Sequence, residues 1–208
     1  MLVNRTMIKI CGMTRREDVV FAVNIGVDAL GFILAKSPRQ LSLKKVEELC
    51  YNLPPFINRV AVVVNPKAEE VKQIERSKLF DYIQFHGSEE PEMLKNTVLK
   101  SIKAISIAGE EDLAELKKYK GSADYLLFDT KIGSQTGGTG ESFDWKLINE
   151  LKLPYILAGG LGVENIEAAL KKLNPLAVDL NSQVENKPGK KNHRLVKKTV
   201  EKIKKFYD

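Results

Sequence analysis

The sequence predicts an α/β fold, a (β/α)8 TIM barrel built as a single domain, and three observations carry that expectation. Short apolar runs alternate with longer segments of helical period, and the rhythm recurs through eight strand–helix units. The runs are apolar at successive positions, which suits parallel strands covered on both faces. No change of composition and no linker divides the 208 residues, a length near the short end for this fold. A doubly wound open sheet is the structural alternative, but it needs fewer strands, and no dinucleotide fingerprint follows any strand.

The first strand is Met7 to Ile10, after a short extension over residues 1–6, so the barrel domain is 7–208. Cys11 ends the strand, Gly12 breaks it, and a helix from Arg16 to Ile25 can bury Val19, Val20, Ala22 and Val23. Ala29 to Leu34 is the second strand, and Ser37-Pro38-Arg39 breaks the pattern. Ser42 can cap a helix carrying Val46, Leu49 and Cys50. Arg59 to Val64 is the third strand, Lys67 to Arg76 a helix, and Asp81 to Phe85 the fourth strand. Ser88 is placed to cap the next helix, whose Glu89-Glu90-Pro91-Glu92 suits a first turn. Leu99 to Ile105 and Tyr125 to Phe128 are the fifth and sixth strands, flanking a helix from Glu110 to Tyr119. A glycine-rich loop follows Asp129, and Asp144 can cap a helix from Trp145. Tyr155 to Ala158 and Ala177 to Leu180 are the last two strands, with helices over Val163 to Leu173 and Asn192 to Phe206.

Composition narrows the function. The net charge is +6, with the basic excess near the C-terminus, where Leu195, Val196, Val200, Ile203 and Phe206 recur at helical spacing among lysines. That is the solvated face of an amphipathic helix, and aromatics interleaved for nucleic acid are missing, so no nucleic-acid partner is expected. No apolar run approaches the roughly 20 residues of a membrane span, so no membrane partner is expected. The first residues lack the features of a secretory signal. Cys11 and Cys50 share no metal-type spacing and suit a reducing compartment, so no metal and a cytoplasmic location are expected.

In a barrel, residues at the carboxyl ends of strands face one shared site. Cys11, Arg39, Gln84, His86, Asp129, Gly159-Gly160 and Asp179 all fall at or near such ends. Each has a bland reading beside a functional one. A thiol at a strand end is either a small packed group or a base, and as a base it needs nearby donors or positive potential. Cys50, on the apolar face of its helix, is assigned to packing. Asp129 either caps loop amides or is a general acid kept protonated by burial. Asp179, inside an apolar run, needs a partner: a substrate hydroxyl or a structural ion pair. Arg39 is a solvated loop residue or a clamp for a carboxylate or phosphate. His86 reads as site-lining rather than catalytic, and His193 has no evident role. Gly137-Gly138-Thr139-Gly140 and Gly159-Gly160 read as anion cradles, because glycine lets main-chain N–H groups approach phosphate.

Taken together, the chain resembles the phosphoribosylanthranilate isomerases of tryptophan biosynthesis. The residues that carry the resemblance are Lys9-Ile10-Cys11-Gly12-Met13-Thr14, Asp28-Ala29-Leu30-Gly31-Phe32-Ile33, Ser37-Pro38-Arg39, Gln84-Phe85-His86-Gly87, Asp129-Thr130, Gly137-Gly138-Thr139-Gly140 with Phe143-Asp144-Trp145, and Leu157-Ala158-Gly159-Gly160-Leu161. The resemblance implies an Amadori rearrangement of a small phosphosugar substrate without metal or cofactor, by a monomer or homodimer. It implies Asp129 as general acid and Cys11 as general base. It implies that Arg39 holds the anthranilate carboxylate and Asp179 the sugar hydroxyls, with Gln84 and His86 lining the substrate site. Phosphate would be held by Gly138, Gly140, Gly159, Gly160, Asn181 and Ser182. The chain departs from the family's Ser-Ser-Gly-Val-Glu after the eighth strand, where it reads Asn181-Ser182-Gln183-Val184-Glu185, and Asn192 replaces an acidic residue before the last helix. Two other readings stand beside this one: the related isomerase of histidine biosynthesis, which Cys11 argues against, and a non-catalytic module that binds phosphate ligands.

Overall fold

Successive side chains of a strand point to opposite faces, and in this chain both faces are covered. The computed structural model describes residues 5–107, 113–130 and 154–207. Strands β1 (Met7–Ile10), β2 (Ala29–Ile33), β3 (Asn58–Val63), β4 (Tyr82–Phe85), β5 (Lys100–Ile107), β6 (Tyr125–Thr130), β7 (Tyr155–Ala158) and β8 (Ala177–Leu180) close into a barrel in chain order. All neighbours are parallel, and β8 closes on β1 with Lys9 opposite Asp179 and Ile10 opposite Leu180. One set of side chains, including Cys11, Val60, Val62, Ile102, Ala104, Leu127, Ile156 and Ala158, packs as a single cluster inside the barrel. The alternate set, among them Ile8, Ile10, Leu30, Phe32, Ala61, Ile83, Phe85, Phe128, Leu157 and Val178, joins the layer beneath the helices. Two buried layers explain why the strands read as continuously apolar.

The described helices are α1 (Arg16–Asn24), α2 (Leu43–Cys50), α3 (Ala68–Ser77), α4 (Pro91–Lys95), α5 (Leu113–Tyr119), α6 (Ile166–Leu173) and α7 (His193–Lys205). Ser42 caps α2 by accepting from Lys45 N, and Asn192 caps α7 by accepting from Leu195 N. In α7, Val196, Val200 and Ile203 are buried while Lys197, Lys198, Lys204 and Lys205 face solvent. Ser88 does not cap α4. Its N–H is taken by Asn65 Oδ1 at 2.7 Å, and the helix opens later, at Glu90 with Pro91 in the first position. The segment expected to start at Glu110 is described from Leu113, and the helix expected after Asp144 lies outside the described residues. A feature the sequence reading omits is a short hairpin after β8, β9 (Glu185–Lys187) with β10 (Lys190–Lys191), entered through a 3-10 turn over Ser182–Val184. No helix among the described residues is long and apolar enough to cross a membrane.

The amino end of the barrel is fastened by a repeated device. Asp28, Asp81 and Asp124 each precede an even-numbered strand, and each accepts the first free N–H of the strand before it: Ile8, Arg59 and Ser101, all at 2.8 Å. Arg5, Arg59 and Lys100 pair with the same three carboxylates. Thr6 is buried and donates to Pro175 O at 3.0 Å, so the residue before β1 is tied to the approach to β8.

Candidate active site

The carboxyl ends of the strands surround a cavity of about 300 Å³. Cys11 enters from β1, Gln84 and His86 from β4, Asp129 from β6, Gly159 and Gly160 from β7, and Asp179, Asn181 and Ser182 from β8. Nine of the residues singled out in the sequence therefore share one wall-to-wall space. Lys36 and Ser37 also line it, although the sequence reading gave them no role. Gly138 and Gly140 lie outside the described residues.

The backbone places Cys11 where β1 gives way to a turn. Cys11 N donates to Leu180 O at 2.8 Å, extending the β1–β8 ladder by one bond. Gly12 adopts φ +73°, and a Cβ there would lie 2.6 Å from Arg39 Cδ and 2.8 Å from Asn181 Oδ1. Only glycine fits both the angle and the space. Across the ladder, a Cβ on Gly31 would come within 2.8 Å of Cys11 Sγ, so Gly31 keeps room for the thiol. Burial pushes the Cys11 thiol above its ordinary value. The Lys9 ammonium pulls it down, Asp179 pushes it up and Lys191 pulls it down, with the upward influences prevailing. The positive surroundings that a working base requires are present, but in this structure they do not outweigh burial.

Asp129 lies across the cavity and differs from the sequence expectation in one respect. The general-acid reading invoked burial, whereas its side chain is 35% exposed and its near partner is a histidine. His86 Nε2 is 3.2 Å from Asp129 Oδ2, and His86 Nδ1 is 3.0 Å from Gln84 Nε2. With the Gln84 amide nitrogen donating to Nδ1, Nε2 carries the ring's hydrogen and donates to Asp129 Oδ2. His86 is also held from behind. Its N–H donates to Val63 O, and the loop it opens is fixed by Glu89, whose carboxylate accepts from Asn65 N and Gly87 N. Glu89 in turn is paired at 2.8 Å with Lys103, and both side chains are fully buried. Nothing in the sequence pattern marked this pair.

Asp179 makes a structural ion pair through one oxygen and leaves the other without a hydrogen-bond partner. Oδ2 is 2.7 Å from Lys9 Nζ, a buried ion pair. Oδ1 is buried without a hydrogen-bond partner, and Gln84 Oε1 is in the same position. These are the two such side-chain atoms among the described residues, and both residues line the cavity. Buried acceptors are nearly always satisfied, so this pair marks where a ligand's donors belong.

Arg39 is already engaged by a carboxylate of the chain itself. It is not among the residues that line the cavity, and it binds Glu185, with Nε 3.0 and 3.1 Å from the two carboxylate oxygens and a further bond from the terminal nitrogen. Lys191 Nζ reaches the same carboxylate at 2.8 Å and Asn181 Oδ1 at 3.0 Å. Burial pushes the Lys191 ammonium below its ordinary value, against the pull of Glu185. Glu185 itself, which burial alone would push up, is held below the usual carboxylate range by Arg39 and Lys191. The hairpin thus ties the loop after β2 to the loop after β8. Gln183 is exposed, with its Cβ against Gly162, and does not line the cavity. Its φ is not positive, so a side chain is accommodated without strain where the family has glycine.

Gly159 and Gly160 take φ of +95° and +58°, and the turn beyond them is closed by Asn165, which accepts from Gly162 N and donates to Gly160 O, both at 2.9 Å. A turn of this kind presents main-chain donors to an anion. Among the described residues no three His, Cys, Asp or Glu side chains are grouped to hold a metal ion.

A family model for N-(5′-phosphoribosyl)anthranilate (PRA) isomerase matches residues 8–202. The N-(5′-phosphoribosyl)anthranilate isomerase of Petrotoga mobilis is 57% identical over 198 residues, covering 94% of this chain and 96% of that protein. A crystal structure of phosphoribosyl anthranilate isomerase in complex with reduced 1-(o-carboxyphenylamino)-1-deoxyribulose 5-phosphate aligns with a TM-score of 0.86 at 33% identity, covering 96% of this chain and 99% of that one. A crystal structure of mutually generated monomers of the dimeric isomerase of Thermotoga maritima aligns with a TM-score of 0.85 at 32% identity and the same coverage.

Proposed function

The chain belongs to the N-(5′-phosphoribosyl)anthranilate isomerase family of tryptophan biosynthesis, and on that premise we propose that it works by an Amadori rearrangement with Asp129 as general acid and Cys11 as general base. Asp129 gives its proton to the ribose ring oxygen. The C1′–O bond breaks as the anthranilate nitrogen's lone pair forms the C=N bond of a Schiff base. The Cys11 thiolate then takes the proton from C2′, the C–H pair becomes the C1′=C2′ bond of an enolamine, and the C=N pair returns to nitrogen. Tautomerisation of the enolamine gives 1-(2-carboxyphenylamino)-1-deoxyribulose 5-phosphate.

One observation carries the reading: Cys11 and Asp129 line the same cavity in different surroundings. The thiol is buried beside an ammonium group, and the carboxyl is partly exposed beside an imidazole. An acid and a base that act at one pH need different surroundings, and because burial holds the thiol above its ordinary value the thiolate must form as substrate binds. Asp179 Oδ1 and Gln84 Oε1 are suited to sugar hydroxyls, with His86 beside them. Gly159, Gly160, Asn181 and Ser182 are suited to the phosphate, and we keep Gly138 and Gly140 in that role. Arg39 takes the anthranilate carboxylate by sharing its guanidinium with Glu185.

The test is turnover of N-(5′-phosphoribosyl)anthranilate, followed by loss of anthranilate-type fluorescence. Cys11→Ser and Asp129→Asn should each lower kcat by about 100-fold or more while leaving the fold intact. Normal turnover by Cys11→Ser would remove the base assignment, and normal turnover by Asp129→Asn would remove the acid.

We also propose that the chain forms a homodimer. Phe56 is 99% exposed and Tyr51, five positions before it in the chain, is 77% exposed, and large aromatic side chains left this open suit an interface between two copies. Sedimentation at twice the monomer mass supports this reading, and sedimentation at the monomer mass opposes it. The two free thiols suit the cytoplasm, where we place the enzyme.

A further inference from the structure

Lys9 has no role in the chemistry set out above, yet its surroundings are unusual. The inside of a barrel of this kind is filled by branched aliphatic side chains, and here the interior cluster is Val60, Val62, Ile102, Leu127 and Ile156 around Cys11. Lys9 points into that interior, two residues before Cys11, whose N–H continues the β1–β8 ladder, and so shares its face. Its side chain is 4% exposed. The partner is Asp179, opposite it in the β1–β8 register and 2.7 Å away. A buried ion pair of this sort adds little stability over two well-packed apolar residues, so stability does not account for it.

The arrangement has a depth order. Cys11 and Asp179 line the cavity, whereas Lys9 lies beneath them and does not. Asp179 and Cys11 both act to raise the Lys9 ammonium, so the charge that is paired with the carboxylate is also felt at the thiol. The other charges that face the sulfur come from Lys191 on the hairpin and Arg39 on the loop after β2, and both are already held by Glu185. Burial weighs against the Lys9 ammonium, but Asp179 and Cys11 outweigh it and keep it charged.

We propose that Lys9 is a positioning residue of the isomerase, the buried cation, anchored by Asp179, against which the Cys11 thiolate forms. Asp179 sets how much of that charge the sulfur receives. A sugar hydroxyl donated to Asp179 Oδ1 offsets part of the carboxylate's charge and leaves more of the ammonium's field to the sulfur. Substrate binding and ionisation of the base then favour each other. This rests on Cys11 being the base.

The experiment titrates the thiol itself, without substrate. In a Cys50→Ala background, the rate of iodoacetamide alkylation of Cys11 is followed against pH for the parent, Lys9→Met, Asp179→Asn and the double variant. Loss of Lys9 should move the midpoint up by about 1 unit or more, and loss of Asp179 should move it down. The acidic limb of the kcat/KM profile of Lys9→Met should move up by the same amount. If Lys9→Met fails to fold because Asp179 is left unpaired, the neutral double variant carries the test, and its midpoint should lie above that of Asp179→Asn. An unchanged midpoint in folded Lys9→Met, or a double variant that titrates with Asp179→Asn, would overturn the proposal. Normal turnover by Cys11→Ser would instead remove the assignment of the base and leave the alkylation shift standing, so the two failures are distinct.

Discussion

Arg39 and Glu185 meet across the mouth of the barrel as a two-pronged ion pair, Nε lying 3.0 and 3.1 Å from the two carboxylate oxygens. The pair joins the loop after β2 to the hairpin after β8, and Lys191 completes it from the hairpin's second strand. It fixes the direction of the guanidinium before any ligand carboxylate arrives, which lowers the entropy a clamp must lose on binding.

Arg39→Lys keeps the charge but loses the planar fork. Its KM for N-(5′-phosphoribosyl)anthranilate should rise by about 10-fold or more with a smaller change in kcat, the mark of an interaction made equally in ground and transition states. Steady-state kinetics checks it, and an unchanged KM would take Arg39 out of substrate binding.

Glu185 makes stability depend on acid. Its folded carboxyl is held below the ordinary 4.5, so the unfolded chain binds the proton more readily. The stabilisation is complete above pH 4.5 and is lost as pH falls from there through the lower folded value. Glu185→Gln should cost about 3–5 kcal/mol at neutral pH, because Arg39 and Lys191 lose a buried partner. Urea midpoints of variant and parent should converge as the pH is lowered through that window.

Gly31→Ala places a methyl group 2.8 Å from Cys11 Sγ and 3.0 Å from its Cα. The thiol must shift by a few tenths of an ångström. We expect kcat to fall by about 10-fold to 100-fold with KM nearly constant, since small misplacements of a reacting group are costly. Steady-state kinetics alongside a melting curve separates this from a loss of fold.

Asp124→Ala should show the opposite pattern. Asp124 fastens β5 at the amino end of the barrel, accepting from Ser101 N at 2.8 Å and Lys100 Nζ at 3.0 Å. The loss should be about 1–3 kcal/mol, read from urea denaturation, with kcat/KM unchanged because the cavity lies at the other end.

The strand–helix rhythm was legible because each strand is buried on two sides, and that burial leaves an apolar run in the sequence. The meeting of Cys11, Gln84, His86, Asp129, Gly159 and Asp179 was legible for a second reason: parallel strands all present their carboxyl ends to one rim, so position along a strand predicts a neighbour in space. The Ser88 cap was misread because the helix opens two residues later, with Glu90 at the cap position and Pro91 in the first turn, while Glu89 is drawn inward to organise the preceding turn.

What the sequence alone determined about this protein is the order of its elements and the identity of the side chains at the rim, since both follow from local pattern and strand direction. What only the tertiary structure decided is how those side chains are charged and aimed. Lys9 meets Asp179 across 170 positions, and Arg39 meets Glu185 across 146, because closure of β1 on β8 brings the ends of the chain together. Ion pairs of that kind have no period and no spacing. They exist once the barrel closes and removes the groups from water, when each charge must find a partner or be neutralised.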